Sequence, residues 1–240
     1  KKMEKMKKLL EKFKDELFAE KFECVNCSDE VLKENKYHLC DDCYDNLDFI
    51  HISCRKCGDK VNEYTFYCNN CKEIEHNFDR VFCCSKFDGV AKHMIYKLKY
   101  GEAKYLARIM ATFMAEKFEE ACREKVDLII PVPLSRERLR NRGYNQSELI
   151  ANHLSKLLNI ETHNSVLRVK DTPTQTHLSR DERRANLLGA FDVSDKDILK
   201  GKTVLLIDDV CTTGATMDEI SKVLRKCKVN KILGLTFCHA

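Results

Sequence analysis

The sequence predicts an α/β protein, with a mostly parallel sheet covered by helices on both faces and a small cysteine-rich module before it. Three observations lead to this fold class. Beyond residue 78, apolar runs of β-type composition alternate with amphipathic helical patterns, as parallel strands with helical crossovers require. Four Cys-x-x-Cys pairs lie before residue 72. A run of two acids, hydroxyl residues and a glycine directly follows one apolar strand.

Length and composition set the organisation of the chain. Its 240 residues suffice for one medium domain and a small module. We divide it into an N-terminal helix over residues 1–20, a cysteine module over 21–77 and an α/β domain over 78–240. The first segment has apolar side chains at helical spacing, namely Met3, Met6, Leu10, Phe13 and Leu17. Such a helix packs on its own domain or contacts a second subunit or a partner.

Cysteine usage and hydropathy indicate the compartment. No apolar stretch approaches the ~20 residues of a membrane span, and no secretory signal pattern follows the lysine-rich start. Fourteen cysteines in such a chain point to the reducing cytosol and to metal binding, so we expect a cytoplasmic protein. Residues 1–80 carry 15 Lys+Arg and 18 Asp+Glu, and the remaining residues carry 27 and 20. The C-terminal part is therefore better suited to meet phosphates.

The cysteine module contains four pairs, which are Cys24/Cys27, Cys40/Cys43, Cys54/Cys57 and Cys68/Cys71. Two such pairs supply the thiolates of one tetrahedral zinc ion. Metal binding adds about 10–16 kcal/mol per site in peptides, which a segment this short needs in order to fold. We predict two structural zinc sites instead of thioredoxin-like redox chemistry, because a βαβ pattern is missing. Sequential pairing is favoured, and an interleaved cross-brace stays open.

The first half of the α/β domain begins with alternating strands and helices. The predicted elements are a strand and a turn over residues 78–90, a helix ending at Gly101, a helix over 103–120 and a strand over 126–133. Four arginines follow this strand, namely Arg136, Arg138, Arg140 and Arg142. Asn145 then suits the N-cap of another helix, with Glu148 as its capping-box partner.

The second half continues the alternation. The predicted elements are short strands over 165–169 and 190–193, a polar loop over 172–178, a helix opened by Ser179 and Glu182 and ended by Gly189, a strand over 203–207, a helix beginning near Met217 and a strand over 231–238. Ligands of parallel sheets bind beyond the carboxyl ends of the strands. The loops that follow residues 133 and 207 should therefore meet at one edge of the sheet.

One run at that edge predicts a site for a phosphorylated sugar. Asp208 and Asp209 come first, and Thr212, Thr213, Gly214, Ala215 and Thr216 follow. Backbone N–H groups of such a loop and of the helix N-terminus attract an anion, and a glycine lets the ligand approach closely. The two carboxylates suit ribose hydroxyls, or a magnesium ion held with a diphosphate. The nearby arginines can grip diphosphate oxygens in pairs.

The chain resembles the ComF family of competence proteins. The matching stretches are the cysteine knuckles and residues 98–101, 132–134, 142–147, 174–176, 183, 186–187 and 208–216. The resemblance implies a double zinc ribbon followed by a type I phosphoribosyltransferase-like domain that binds phosphoribosyl pyrophosphate with Mg²⁺. It links the chain to DNA uptake in natural transformation, with single-stranded DNA and a competence helicase as partners.

The resemblance also implies roles for individual residues. Asp208 and Asp209 would meet the ribose hydroxyls, and residues 212–216 would hold the 5-phosphate. The pyrophosphate contacts would come from Val132, Pro133, Leu134 and Arg136. Acceptor or loop contacts would come from Lys97, Lys99, Arg142, Tyr144, Gln175 and Arg183. Several purine-salvage members carry an aspartate where this chain has Thr212.

Two functions stay open from the sequence. The first is an enzyme that transfers the phosphoribosyl group to an unidentified acceptor, with Asp208, Asp209 and Arg136 as its catalytic residues. The second is a non-catalytic module that handles single-stranded DNA. Bases could then stack on interleaved aromatic side chains, namely Tyr96, Tyr100 and Tyr144.

Overall fold

The computed structural model describes residues 22–170 and 186–240. The predicted helix over 1–20 lies outside the described residues. The predicted loop over 172–178, with Gln175, and the capping box of Ser179 and Glu182, with the neighbouring Arg183, lie outside them as well. None of the helices in the described ranges is both long and apolar enough to cross a membrane.

The elements of the described ranges follow the predicted alternation. The strands are β1 (Phe22–Glu23), β2 (Glu30–Val31), β3 (Arg80–Lys86), β4 (Leu128–Pro131), β5 (Val166–Arg168), β6 (Phe191–Val193), β7 (Thr203–Cys211) and β8 (Lys231–His239). The helices that lie within these ranges are α1 (Asp41–Asp45), α2 (Asn69–Glu73), α3 (Gly89–Tyr100), α4 (Leu106–Ala121), α5 (Arg136–Arg142), α6 (Gln146–Leu158) and α7 (Ala215–Lys226).

The central sheet of the described chain has the strand order β3-β8-β7-β4, and all of its neighbouring strands are parallel. Ile207 of β7 lies opposite Leu235 of β8 on one side and Pro131 of β4 on the other. The carboxyl ends of β4 and β7 are therefore side by side. The predicted α/β fold with a mostly parallel sheet is confirmed. A separate antiparallel pair, β5 and β6, forms a small second sheet.

Apolar cores lie on both faces of this sheet. Side chains alternate between faces along a strand, so Leu205 and Ile207 pack with α3, α4 and α6. Val204 and Leu206 point to the other face, where they pack with α7 and with the β5–β6 pair. All four side chains are fully buried. The helical cover on both faces agrees with the prediction.

The strand β7 is longer than the sequence predicted. The apolar pattern ends at Ile207, and we expected the two acids to lie in a loop after it. The backbone instead stays paired with β8 as far as Cys211, with Asp208 opposite Thr236. Asp208 and Asp209 are therefore strand residues, held by the rigid sheet.

Side chains cap the N-termini of α3 and α6, and one predicted capping box is absent. The Asp88 side chain accepts a hydrogen bond from Gly89 N at 2.8 Å and caps α3, and Asn145 caps α6 by accepting from Ser147 N at 3.1 Å. The predicted capping box of Asn145 and Glu148 does not form. The Glu148 carboxylate instead accepts a hydrogen bond from Asn164 Nδ2 at 2.9 Å.

The cysteine-rich segment packs directly on the sheet. Cys24 and Cys43 belong to the same buried core as α3 and α4. Further along the chain, Val81 N of β3 donates to Lys56 O at 2.7 Å. Both halves of the segment therefore rest on the α/β part of the chain.

Candidate active site

Two neighbouring carboxylates stand at the carboxyl end of β7. Side chains at every second position of a strand share one face, so Asp209 points to the same face as Leu205 and Ile207, toward α3 and α6. There it forms an ion pair with Lys99 Nζ of α3, and it accepts a hydrogen bond from Gln146 Nε2 of α6 at 3.1 Å. Asp209 is only 3% exposed. Lys99, one of the predicted acceptor contacts, is thus brought to the carboxylates.

Asp208 has a different environment. Its Oδ1 accepts hydrogen bonds from Ser147 Oγ at 2.8 Å and from the backbone N–H of Asp209 at 2.9 Å. Burial and the neighbouring charge of Asp209 raise the pKa of Asp208 to about 7. Burial alone would also raise the pKa of Asp209, but the Lys99 ammonium lowers it below its usual range. Near pH 7 Asp209 is therefore ionised, whereas Asp208 is only partly ionised and loses its remaining proton as pH rises.

A short run between α5 and α6 holds this pair in place. Gly143 has a left-handed backbone (φ +77°) and ends α5. The Tyr144 hydroxyl donates to Leu98 O and is buried, and Asn145 Nδ2 donates to Val132 O at 3.0 Å. Gln146 and Ser147 then reach Asp209 and Asp208. This run therefore links the arginine helix, the β4 loop and the carboxylates.

Gln146 and Ser147 are site residues that the sequence analysis missed. It treated this run as a helix start and as a mark of family resemblance. One signal could have found them. An amide and a hydroxyl side chain lie in the first turn of α6, and the strand before this helix, β4, is the neighbour of β7, which carries the two acids. Tyr144, which was predicted to contact a ligand, fills the core instead.

Arg142 is connected to the carboxylates through Gln146. Its Nη1 donates to Gln146 Oε1, and its guanidinium lies over the Tyr100 ring, 5.6 Å from the centroid. Because Gln146 also donates to Asp209, a continuous polar path runs from the exposed Tyr100 ring to the buried acid. Lys97 points away from the carboxylates, since its Nζ donates to O of Val25, a residue between Cys24 and Cys27, at 2.8 Å.

The loop after β4 lies beside β7. Val132 N donates to Ile207 O at 2.9 Å, which extends the pairing of these two strands. Pro133 and Leu134 follow and are half-buried. Ser135 caps α5 by accepting from Arg138 N at 3.3 Å, so Arg136 is the exposed first residue of this helix. The first turn of α5 therefore starts at the same sheet edge as the carboxylates.

The glycine loop connects β7 to α7. Gly214 has a left-handed backbone (φ +73°) and directly precedes the helix, which begins at Ala215. Thr213 Oγ1 accepts from Ala215 N at 3.4 Å, and Thr212, Thr213 and Thr216 are half-buried. The loop thus sets three hydroxyls and the N-terminus of a 12-residue helix next to two carboxylates.

The eight paired cysteines form two clusters of four. One contains Cys24, Cys27, Cys40 and Cys43, and the other contains Cys54, Cys57, Cys68 and Cys71, each with its sulfurs within 4.8 Å of one another. One sulfur pair in each cluster is 3.6 Å apart. A tetrahedral zinc ion with Zn–S bonds of about 2.3 Å places sulfurs about 3.8 Å apart, so both clusters could hold zinc. Sequential pairing is found, and the interleaved cross-brace was wrong.

Comparison with known proteins agrees with this geometry. A family model described as "Phosphoribosyl transferase domain" matches residues 99–239. Competence protein F of Haemophilus influenzae is 34% identical over 217 residues, which are 88% of this chain and 94% of that protein. DNA utilization protein YhgH of Salmonella typhi is 29% identical, over 71% of this chain and 77% of its own length. Competence protein ComFC of Bacillus subtilis is 24% identical, over 90% and 84%.

The family model begins at Lys99, near the end of α3, and includes β4, β7, β8, the carboxylates and the glycine loop. The match to Competence protein F also covers most of the rest of the chain. On these grounds, the chain belongs to the ComF family and carries a phosphoribosyltransferase domain.

Proposed function

We propose that this protein binds phosphoribosyl pyrophosphate with Mg²⁺ and transfers the phosphoribosyl group to an acceptor. One observation carries the proposal. Two carboxylates, held by Ser147 and Gln146 at the end of β7, are followed after four residues by a left-handed glycine and a helix N-terminus. An anionic phosphate fits the helix start, and ribose hydroxyls fit the carboxylates.

Each part of the ligand has a counterpart among the described residues. The 5-phosphate would bind the amides and hydroxyls of residues 212–216. The ribose hydroxyls would donate to Asp208 and Asp209. The diphosphate would extend toward residues 132–134 and Arg136, at the start of α5. Mg²⁺ would be held between the diphosphate and this carboxylate edge, where it would offset the charge of the phosphates.

In the proposed reaction, the bond between C1 of the ribose and the pyrophosphate oxygen breaks. A bond forms between C1 and the acceptor nitrogen, pyrophosphate leaves, and the acceptor gives up a proton to solvent. Positive charge develops on the ribose ring, and the nearby carboxylates stabilise it. The protein contributes mainly positioning and electrostatics, with no covalent intermediate.

The relatives support a biological setting for this chemistry. They are named as competence proteins and as DNA utilization proteins. We therefore propose a role in DNA uptake or use. A cytoplasmic location, a competence helicase as a partner and self-association through residues 1–20 stay predictions from the sequence.

Titration calorimetry with phosphoribosyl pyrophosphate and Mg²⁺ tests the binding step. We expect a one-to-one complex that weakens strongly in Asp209→Asn and persists in Asp197→Asn, an exposed acid away from this edge. Absence of binding heat in the wild type would overturn the proposal. Release of pyrophosphate in the presence of nucleobases, amines or DNA then identifies the acceptor, and it should disappear in Asp209→Asn.

A second candidate function is binding of single-stranded DNA, and one observation favours it. Tyr96 and Tyr100 are 48% and 72% exposed on α3, with ring centroids 5.7 Å apart. The same helix contains no acidic residue, and the Arg142 guanidinium lies over the Tyr100 ring. Exposed aromatic rings beside cations are the features with which proteins stack single-stranded bases.

Fluorescence anisotropy with a labelled oligothymidylate separates the two functions. DNA binding should weaken steeply with salt and should fall in Tyr100→Ala. It should persist in Asp209→Asn, and in Tyr64→Ala, which removes another exposed tyrosine. Binding that depends on Asp209 would instead assign the DNA to the acceptor position of the enzyme.

A further inference from the structure

We infer that the segment leaving the second cysteine cluster, residues 74–79, is a positioning element for the glycine loop, so that metal binding at this cluster is coupled to the order of the loop. We call residues 74–79 the exit segment. It begins three residues after Cys71, a member of the second cluster, and it ends where β3 begins.

Two aromatic rings of the exit segment back the glycine loop. His76 and Phe78 are stacked with centroids 4.6 Å apart and an interplanar angle of 21°. Both residues are buried. A Cβ atom added at Gly214 would lie 3.2 Å from Cε1 and Cζ of Phe78 and 3.6 Å from Cε1 of His76. The rings therefore pack directly against the residue on which the left-handed turn depends.

Polar contacts fasten the same segment to both ends of α7. In its first turn, Asp218 accepts from Asn77 N at 2.6 Å and from Asn77 Nδ2 at 3.2 Å. In its last turn, Arg225 Nε donates to Asn77 O at 3.1 Å, and Arg225 Nη2 donates to Asp79 Oδ2 at 2.7 Å. The exit segment is thus hydrogen-bonded to the first and the last turn of α7, the helix that follows the glycine loop.

The second cysteine cluster contacts β3 and the Phe78 ring of the exit segment. Its knuckle at residues 54–58 docks on β3, where Lys56 O accepts from Val81 N at 2.7 Å. A Cβ atom at Gly58 would lie 2.7 Å from both Cys83 Sγ and Val81 O, so the approach is tight. Lys56 Nζ lies over the Phe78 ring, 5.5 Å from its centroid. Phe78 therefore contacts the knuckle on one side and the glycine loop on the other.

The first cysteine cluster has different neighbours. Its knuckle contacts α3, where Lys97 donates to Val25 O and His93 contacts Asn26 Oδ1 at 2.7 Å. The chain thus offers a matched control, because the two clusters have the same ligands and, among residues 22–170 and 186–240, only the second is joined to α7 through the exit segment. Loss of metal from the second cluster removes an anchor of the exit segment, and the loop then loses its backing. By reciprocity, ordering of the loop strengthens metal binding there.

Hydrogen exchange of the full, zinc-loaded chain tests this coupling. Cys68→Ser/Cys71→Ser empties the second cluster through its two half-exposed cysteines. Cys27→Ser/Cys40→Ser empties the first cluster through its exposed and its half-exposed cysteine. Metal content confirms the loss of one zinc in each variant. We expect exchange in the peptide over residues 208–222 to rise roughly 5–150-fold only when the second cluster is empty. Exchange in β8 should stay unchanged.

A zinc-retaining variant keeps the test decisive if the cysteine variants unfold. Phe78→Leu should raise exchange over residues 208–222 with both zinc ions present. Phe66→Leu is the control, since its ring lies at the surface beneath Arg55. Equal exchange in Phe78→Leu and wild type, an equal rise from either cluster, or a rise that extends to β8 would overturn the inference.

Discussion

Lys99 of α3 and Asp209 of β7 form an ion pair beneath the carboxyl edge of the sheet, with side chains that are 22% and 4% exposed. Burial disfavours both charges, but each stabilises the other. The pair fixes the ionised form of Asp209 before any ligand arrives. It also means that a ribose hydroxyl would join an acid that is already partnered.

Lys99→Met should destabilise the fold, because it leaves the Asp209 carboxylate buried beside an apolar side chain. Removing one partner of a buried pair costs about 3–5 kcal/mol. Urea unfolding of the zinc-loaded protein measures this loss. Lys97→Met is the matched control on the same helix, and it should cost much less because the partner of Lys97 is a carbonyl oxygen. Equal costs would show that the ion pair contributes nothing specific.

The free energy of unfolding should fall as pH rises toward neutrality, because the buried Asp208 carboxyl loses its proton. Its pKa is raised to about 7, well above 3.8, so the folded state holds a proton that the unfolded chain releases. The stabilising contribution is therefore fully present below about pH 4 and is lost as pH rises through 7. One proton gives a slope of up to about 1.4 kcal/mol per pH unit.

Urea unfolding between pH 5.5 and 7.5, with zinc present, measures this slope. Asp208→Asn should flatten it, whereas Asp197→Asn, at an exposed position, should leave it intact. A wild-type slope that survives in Asp208→Asn would assign the proton to another group.

Much of this architecture was predictable because it depends on local pattern. The apolar run at 203–207 and the glycine at 214 set a strand and a helix start, and adjacent carboxyl ends follow from a parallel sheet. The cysteine clusters follow from the reach of a Cys-x-x-Cys knuckle. The extension of β7 through Asp208 and Asp209 was not predictable, since acids are rare in strands and only pairing with β8 reveals it.

Side-chain direction was the main thing that the sequence left undecided. Lys97 and Lys99 are two residues apart on a helix, about 200° around its axis. Lys97 therefore reaches Val25, beside the first cysteine cluster, and Lys99 reaches Asp209. Tyr144 and Gln146 lie on either side of the N-cap Asn145, and they also diverge: the Tyr144 hydroxyl donates to Leu98 O, whereas Gln146 donates to Asp209. The rotation of a helix about its axis decides which side chains face the sheet. That rotation depends on tertiary packing, so the local sequence pattern did not predict it.

Ser147→Ala should weaken the carboxylate edge with little change elsewhere. The buried Ser147 hydroxyl donates to Asp208, and hydrogen bonds to charged groups contribute about 1.5–3 kcal/mol. We expect a loss near the lower end, because Asp208 is partly protonated at pH 7. Urea unfolding and the affinity for phosphoribosyl pyrophosphate measure the two effects. Ser155→Ala on the same helix is the control, and similar losses in both variants would contradict the role of Ser147.

Gly214→Ala should cost more stability than Gly143→Ala, although both glycines have nearly the same backbone. Their φ angles are +73° and +77°, so the left-handed penalty of about 1–2 kcal/mol applies to each. A Cβ atom at Gly143 meets nothing within 4 Å, whereas at Gly214 it lies 3.2 Å from the Phe78 ring. The difference between the two variants in urea unfolding therefore measures the contact with the exit segment.

A double-mutant cycle isolates that contact. In a Phe78→Leu background the cost of Gly214→Ala should fall toward that of Gly143→Ala, because the smaller side chain makes room for the added methyl group. Coupling between residues in contact is typically about 0.5–3 kcal/mol. If Gly214→Ala costs the same in both backgrounds, the ring does not press on the loop, and the second cysteine cluster must stabilise the protein by another route.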